Sequence, residues 1–236
     1  MEYKGENNLK IMKSATNYNN FLLELVCKNA PHNIFSVLDF GAGEGTFATL
    51  VEKQINTPVY SLEPAENMQK YYTTSPLQNL SELGEKKVDY IYSLNVLEHI
   101  ENDKEIVDDF YNALAPGGVV FLYLPAFPCL YSSVDKQVGH YRRYTKKDIL
   151  RLIDTRKWII SEIKYVDFLG WFLGFVFKCI EKKEGIIPTD KLKIYDKYFF
   201  PISAFLDKIT FGKILGKNIA VRFSKNTDTT SASESD

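Results

Sequence analysis

Apolar positions along this chain switch between two periods, and the switching outlines a fold. From Asn17 to Cys27, Phe21, Leu22, Leu25 and Val26 recur at helical spacing, and Ser36 to Phe40 is a short apolar run suited to a strand. Beyond three glycines, Phe47, Leu50 and Val51 resume a helical stripe to about Gln54, and Val59 to Leu62 form a second strand ending at Glu63. A helix from about Ala65 is followed by Thr73 to Glu82, which has no clear period and hides a third strand or a long loop. Val88 to Leu94 is the next strand, and Ile106, Val107, Phe110 and Leu114 form one face of a helix stopped by Pro116-Gly117-Gly118. Val119 to Leu124 is continuously β-branched, aromatic or apolar, as in a strand covered on both faces. Thr145 to Asp148 caps a helix reaching about Ile153, and Ser161 to Val166 and Asn218 to Phe223 are the last two strands.

Strands alternating with helices imply an α/β fold, with a mostly parallel sheet and helices on both faces. At 236 residues and 45% hydrophobic content, the chain suits one domain over residues 1–223, followed by a small, polar tail at 224–236 that is expected to be disordered. A formal net charge of −1 offers no general attraction to nucleic acid. Cys27, Cys129 and Cys179 are widely separated, without zinc-type spacing, and the N-terminus lacks an apolar signal region, so a reducing cytoplasm is expected.

The densest chemical information lies in Val37 to Thr46, V-L-D-F-G-A-G-E-G-T, where a strand ends in Asp39 and runs into Gly41, Gly43 and Gly45. Such a turn brings backbone close to a nucleoside-bearing ligand. A dinucleotide fingerprint would require glycine at 46, where Thr46 stands, which disfavours a nicotinamide cofactor. Glu63 follows Asp39 by 24 residues at the next strand end and suits the two hydroxyls of a ribose.

VLDFGAGEG, SLEP, SLNVLEHI and LAPGGVVFLYLP, in that order, resemble the motifs of class I S-adenosylmethionine-dependent methyltransferases across roughly residues 30–165. The resemblance implies a Rossmann-like, seven-stranded sheet with the last strand antiparallel, and S-adenosyl-L-methionine as cofactor. It assigns Asp39, Gly41, Ala42 and Gly43 to the methionine and ribose part of the cofactor. Glu63 falls to the ribose, Pro64 and Ala65 beside the adenine, and Leu94 and Asn95 near the sulfonium. A structural turn without ligand is the plainer alternative for the glycines, and the companion motifs weigh against it.

Methyl transfer to a hydroxyl requires alignment and a base. Of the three histidines, His32 precedes the first strand, far from the ligand side, which leaves His99 and His140. His99 lies in NVLEHIEND, either facing the cofactor or as a structural residue. A divalent metal on Glu98, His99 and Asp103 would rest on a single Glu-His pair, so no metal is expected. His140 lies in GHYRRYT, residues 139–145, which with Pro125 to Asp135 resembles a signature in a type 11/12-like subgroup of these enzymes. Its histidine is a candidate base, and Tyr131, Tyr141, Arg142 and Arg143 are candidate acceptor contacts. The competing reading makes the run an anchor, with an arginine paired to Asp135.

Residues 166–217 form a helical insertion before the last strand, on the ligand side in this resemblance. It carries eleven aromatic residues, Trp171 among the acceptor candidates, and nine lysines against six acids. Phe168 to Phe177 is too short to span a bilayer. It is read either as a helix buried against the core or as part of an aromatic, weakly basic lid touching an anionic membrane at its inner face. The leading function is O-directed methyl transfer to a small or lipid-linked acceptor, such as a glycan intermediate or quinone-like ring. A non-catalytic S-adenosylmethionine-binding protein and, further off, a nicotinamide oxidoreductase are the alternatives.

Overall fold

The structure is a computed structural model that describes residues 3, 5–180, 189–210 and 212–227. Six strands make one sheet: β1 (Val37–Phe40), β2 (Val59–Leu62), β3 (Val88–Leu94), β4 (Leu114–Pro125), β5 (Trp158–Val166) and β6 (Asn218–Lys225). Their order is β2-β1-β3-β4-β6-β5, with the first four parallel and β6 antiparallel to both β4 and β5. The expected mostly parallel architecture with an antiparallel last strand is therefore present.

The expected seventh strand is reduced to one residue. Leu77 makes an isolated parallel bridge to Leu62, donating its N–H to the Ser61 carbonyl (2.9 Å) and accepting the Glu63 N–H (2.8 Å). The ladder goes no further, and the chain turns at Leu80–Leu83 in a short 3₁₀ helix. The helix expected from Ala65 is likewise a 3₁₀ run, Glu66–Tyr71. At the other end the last strand continues beyond Phe223 to Lys225, whose ammonium donates to the carbonyls of Tyr111 and Leu114. The rest of the expected tail, residues 228–236, lies outside the described residues.

Helices cover both faces of the sheet. On one side α4 (Asp103–Ala113) and α6 (Lys146–Leu152) bury Val107, Phe110, Ile149 and Leu152 against Leu38, Ile91, Val120 and Leu122. On the other, α2 (Thr16–Asn29) and α3 (Thr46–Ile55) bury Leu22, Leu25, Val26 and Val51 against Val37, Tyr90 and Phe121. Alternation along β4 sends successive side chains into the two cores, which accounts for its unbroken apolar run.

The insertion contains α7 (Phe168–Ile180), α8 (Thr189–Ile194), a π-helical segment at Tyr195–Phe199 and α9 (Phe200–Thr210). Three aspartates, two of them buried, tether it. Asp196 accepts the N–H groups of Asn17 (3.0 Å) and Tyr18 (2.8 Å), capping the first turn of α2. Asp207 does the same for Asp167 (2.7 Å) and Phe168 (3.0 Å) at the start of α7. Asp167, at φ +67°, accepts the hydroxyls of Ser203 (2.8 Å) and Tyr195.

The all-round apolar character of Phe168 to Phe177 does not bury that segment. Trp171 packs on Phe127 and Gly174 faces Leu130, but Phe172, Leu173, Phe175 and Val176 are exposed. No helix among the described residues is long and apolar enough to cross a membrane.

Candidate active site

The glycine turn joins β1 to α3 by a backbone that only glycine supplies comfortably. Gly41 sits at φ +79°, and a Cβ there would fall 2.4 Å from a Val96 methyl; Gly45, at φ +73°, forms the N-cap of α3. The N–H groups of Gly41 and Ala42 both donate to the Leu62 carbonyl (2.9 and 3.0 Å). Glu63 closes the turn from β2, one carboxylate oxygen accepting the Gly43 N–H (2.8 Å) and the other the Ala65 N–H (2.9 Å). Those bonds partly offset burial, which still lifts its carboxyl above the ordinary range. Pro64 is exposed next to buried Ala65.

Asp39, the last acidic group before the turn, is buried, and its Oδ2 accepts no well-formed hydrogen bond in the protein, although the Tyr92 hydroxyl stands close to its carboxyl. Burial pushes its carboxyl up to about 7. Leaving such an oxygen unpaired costs about 1–3 kcal/mol, which a ligand carrying a donor would recover. A cradle with an orphaned acceptor at one end and a ribose-suited carboxylate at the other fits a nucleoside ligand with an amino or hydroxyl group. At the end of β3, Leu94 and the following Asn95 are half-buried. Asn95 holds φ +55° and donates its N–H to the Tyr123 carbonyl (2.8 Å), turning the chain back at the sheet's carboxyl end.

The N-terminal segment, in which the sequence shows no motif, lies across this cradle. Leu9, in α1 (Glu6–Met12), is the nearest side chain over Gly43, and Lys13 pairs with Glu44. Tyr3 exchanges backbone bonds with the Asn67 side chain (2.8 and 3.0 Å) and sets its ring edge-on to His99, with centroids 5.6 Å apart. Burial, then the charges of Glu98 and Glu63, raise its hydroxyl to about 12.

The histidines meet at the far end. His99 and His140 are edge to face with centroids 4.6 Å apart. His140 Nδ1 is 2.7 Å from Asp135 Oδ1, which leaves Nε2 directed toward Glu98, 3.7 Å away. Asp135 is gripped by Arg143 through Nε (2.9 Å) and Nη2 (3.0 Å) and by the Ser132 N–H (2.9 Å). Burial alone would raise that carboxyl, but the bonds from His140 and Arg143 hold it well below the usual range. Glu98 is fully buried with neither side-chain oxygen hydrogen-bonded, and burial lifts it to about 8. Burial, then His140, lower His99 to about 4, against weaker bonds to the backbone of Gly139 and Val138.

The GHYRRYT run reaches this corner by a parallel bridge between Ala126 and Tyr144 and by the Tyr141 N–H, which donates to the Glu98 carbonyl (2.7 Å). Its arginines and the companion tyrosine are occupied within the protein. Arg142 holds Asp103 (2.8 Å) and the Glu101 carbonyl (2.7 Å), Arg143 holds Asp135, and the Tyr131 hydroxyl donates to the His140 carbonyl (2.6 Å). Tyr141 is exposed, and the indole N–H of Trp171 is buried without a partner. Asp103 is committed to Arg142 and to the Tyr144 hydroxyl (2.8 Å), away from the Glu98 carboxylate. A residue the sequence does not single out, Lys217, joins the region. Its backbone bridges Ala126 and Asp167, and burial lowers its ammonium despite the nearby Asp167 and Asp135.

Solved structures with this fold are numerous. One chain in the complex of the Haloferax volcanii Trm112 methyltransferase activator with a putative methyltransferase aligns at TM-score 0.58 and 10% identity, over 95% of this chain and 97% of that one. A mycolic acid cyclopropane synthase bound to SAH aligns at 0.55 and 12%, over 86% and 82%. Phosphoethanolamine N-methyltransferase 2 of Haemonchus contortus, in complex with S-adenosyl-L-methionine, aligns at 0.54 and 18%, over 87% and 51%. At such identities the likeness establishes the fold alone. No curated protein matches the chain. A family profile described as a methyltransferase domain covers residues 13–158, from the N-terminal segment through the glycine turn and both histidines to the start of β5. The chain belongs to this methyltransferase-domain family.

Proposed function

We propose that the protein transfers a methyl group from S-adenosyl-L-methionine to an oxygen of a small or lipid-linked, amphiphilic acceptor presented at a membrane surface. Bound in the cradle, that cofactor supplies an electrophilic methyl on a sulfonium. Asp39 accepts hydrogen bonds from its polar groups, and the Gly41-Ala42-Gly43 backbone passes beside its ribose and methionine. The remaining lone pairs of Glu63 take the ribose hydroxyls, with Pro64 and Ala65 beside the adenine and Leu94 and Asn95 beside the sulfonium. His140, oriented through Nδ1 by Asp135, presents Nε2 to the acceptor hydroxyl and takes its proton as the oxygen attacks. His99 flanks it, and Tyr141 and Trp171 offer rings to the acceptor. Arg142, Arg143 and Tyr131 serve this site as positioning residues, through the bonds that fix the loop.

The observation that carries the acceptor class is the outer surface of the insertion. Phe172, Phe175, Val176, Tyr198, Phe199, Ile202 and Phe205 are all exposed, Phe205 at 61%, and lysines 191, 193, 197 and 208 are exposed among them. Isolated apolar residues are ordinary on a surface, but a run of this size interleaved with lysine suits the boundary of an anionic bilayer. The same insertion packs Trp171 onto Phe127 at the start of the acceptor loop, linking the membrane face to the histidine corner.

Calorimetric titration with S-adenosylmethionine, S-adenosylhomocysteine and NAD tests the cofactor. Binding of either sulfur compound and not NAD is expected, and NAD alone would overturn the reading. Co-sedimentation with vesicles tests the surface. Binding to phosphatidylglycerol-containing vesicles but not to pure phosphatidylcholine is expected, and no binding to either removes the membrane.

A further inference from the structure

Glu98, His99 and His140 place three ligand atoms within 4.8 Å of one another, and the arrangement is incomplete as a set of protein groups. The Glu98 side chain is fully buried, yet neither oxygen receives a hydrogen bond. Its nearest cationic candidate, His140 Nε2, lies 3.7 Å from Oε1, outside hydrogen-bond distance. No arginine or lysine is paired with it among the described residues, because Arg143 is spent on Asp135 and Arg142 on Asp103. A buried carboxylate with two empty acceptors, facing two imidazoles, is completed by a cation.

We propose that Glu98, His99 and His140 bind one divalent transition-metal ion of the zinc class, with the fourth position open toward the acceptor. Ligand atoms about 2.0–2.2 Å from one tetrahedral ion stand roughly 3.3–3.6 Å apart, so the 3.7 Å pair is nearly in register and the widest pair needs about 1 Å of closure. Two imidazoles with one carboxylate select zinc, cobalt or a similar ion over magnesium and calcium, which prefer all-oxygen sites. The surroundings are also those of a metal-bound histidine: Asp135 holds His140 Nδ1 at 2.7 Å, and Arg143 and the Ser132 N–H fix Asp135 in turn. Asp103, which the sequence spacing offers as a ligand beside Glu98 and His99, is instead engaged with Arg142 and Tyr144. His140 reaches the pair from another part of the chain, through the loop bridged at Ala126 and Tyr144.

Three protein ligands leave a position that an acceptor oxygen can occupy, where the ion would favour the deprotonated oxygen. That use rests on the methyltransferase reading; the binding of the ion does not. In the loaded protein the Nε2 lone pair of His140 holds the ion, so His140 is then a ligand and not the base, and the hydroxyl bound to the ion gives its proton to solvent before its oxygen attacks.

The test uses the full chain, stripped with a chelator, exchanged into metal-free buffer and titrated with Co²⁺. One equivalent should bind with visible d–d absorption that Zn²⁺ displaces and Mg²⁺ does not. Glu98→Gln and His140→Ala should each lose at least about ten-fold in Co²⁺ affinity, and Asp135→Asn about 10–100-fold. Circular dichroism and a melting curve establish that each variant is folded; if Glu98→Gln is not, the more accessible His140→Ala decides. Absence of a Co²⁺ spectrum, affinity unchanged in folded His140→Ala, or a loss in Asp103→Asn that His140→Ala does not share would each overturn the proposed ligand set. S-adenosylmethionine calorimetry on the same stripped sample separates the two readings, since cofactor binding without metal binding would defeat only this one.

Discussion

The two ends of the site are built from different materials. At the cradle the groups are mostly backbone: the N–H groups of residues 41–43, the Leu62 carbonyl and one carboxylate that clips Gly43 to Ala65, all within 25 positions of one another. At the histidine corner they are side chains from separate segments, with Glu98 and His99 after β3, Asp135 in α5 (Ser133–Val138), and His140 and Arg143 beyond it. A backbone site tolerates much side-chain change outside its glycines and is easy to reuse. A side-chain site depends on each member, because removing one leaves a buried charge without its partner.

That difference is exposed most sharply at His140. His140→Ala should lower turnover on the true acceptor by about 10²–10⁴-fold while leaving the S-adenosylmethionine dissociation constant unchanged, which stopped assays and calorimetry on one preparation would reveal. An equal loss of cofactor affinity would mean that the two ends are not separable. Glu63→Ala should do the reverse, weakening the cofactor by about 2–3 kcal/mol, roughly 30–150-fold, by isothermal titration. The paired change Phe199→Ser and Phe205→Ser, on the exposed face, should remove about 2–3 kcal/mol of vesicle affinity without affecting cofactor binding. Retained sedimentation would place the membrane contact elsewhere.

The smallest effect concerns Asp39. Its folded carboxyl holds a proton to about pH 7, whereas the unfolded chain releases it near pH 4. Between these values the folded state binds the extra proton, so Asp39 makes the ligand-free protein lose stability as pH rises, fully so above 7. Asp39→Asn, which has no such proton, should reduce the loss between pH 5 and 7 by about 1–2 kcal/mol, measured by denaturant titration. An unchanged slope would assign the loss to other raised carboxyls, such as Asp207 at about 6.

The cradle was largely legible in the chain because its logic is local. Glycines at alternating positions after an apolar strand, and an acid at the next strand end, are visible as letters, and the structure sets Glu63 against Gly43. Local patterning also located the helix capped at Thr145, where Asp148 and Thr145 exchange bonds. It failed at the third strand position, where Leu77 has its two ladder bonds but no strand grows from it before the chain turns into the 3₁₀ helix at Leu80. It failed again at Tyr3 and α1, whose place over the turn depends on contacts with Asn67, Gly43 and Glu44 far along the chain. The aspartates 167, 196 and 207 carry no signal in the sequence beyond their charge, and the structure uses them to hold backbone N–H groups and hydroxyls of the insertion and of α2.

By itself the sequence determined the alternation of strands and helices, the glycine turn with its acid, and the restriction of candidate bases to two histidines. Hydrophobic period, positive-φ demand and residue identity are all properties of short stretches. Only the tertiary structure decided that GHYRRYT gives its arginines to anchoring and its histidine to Asp135 beside Glu98, and that the aromatic insertion turns half of its described rings outward. Ion pairing and exposure depend on which distant segments come within a few ångströms. No spacing along the chain states that distance, and the fold sets it by bringing the loop after β4 back against the turn after β3.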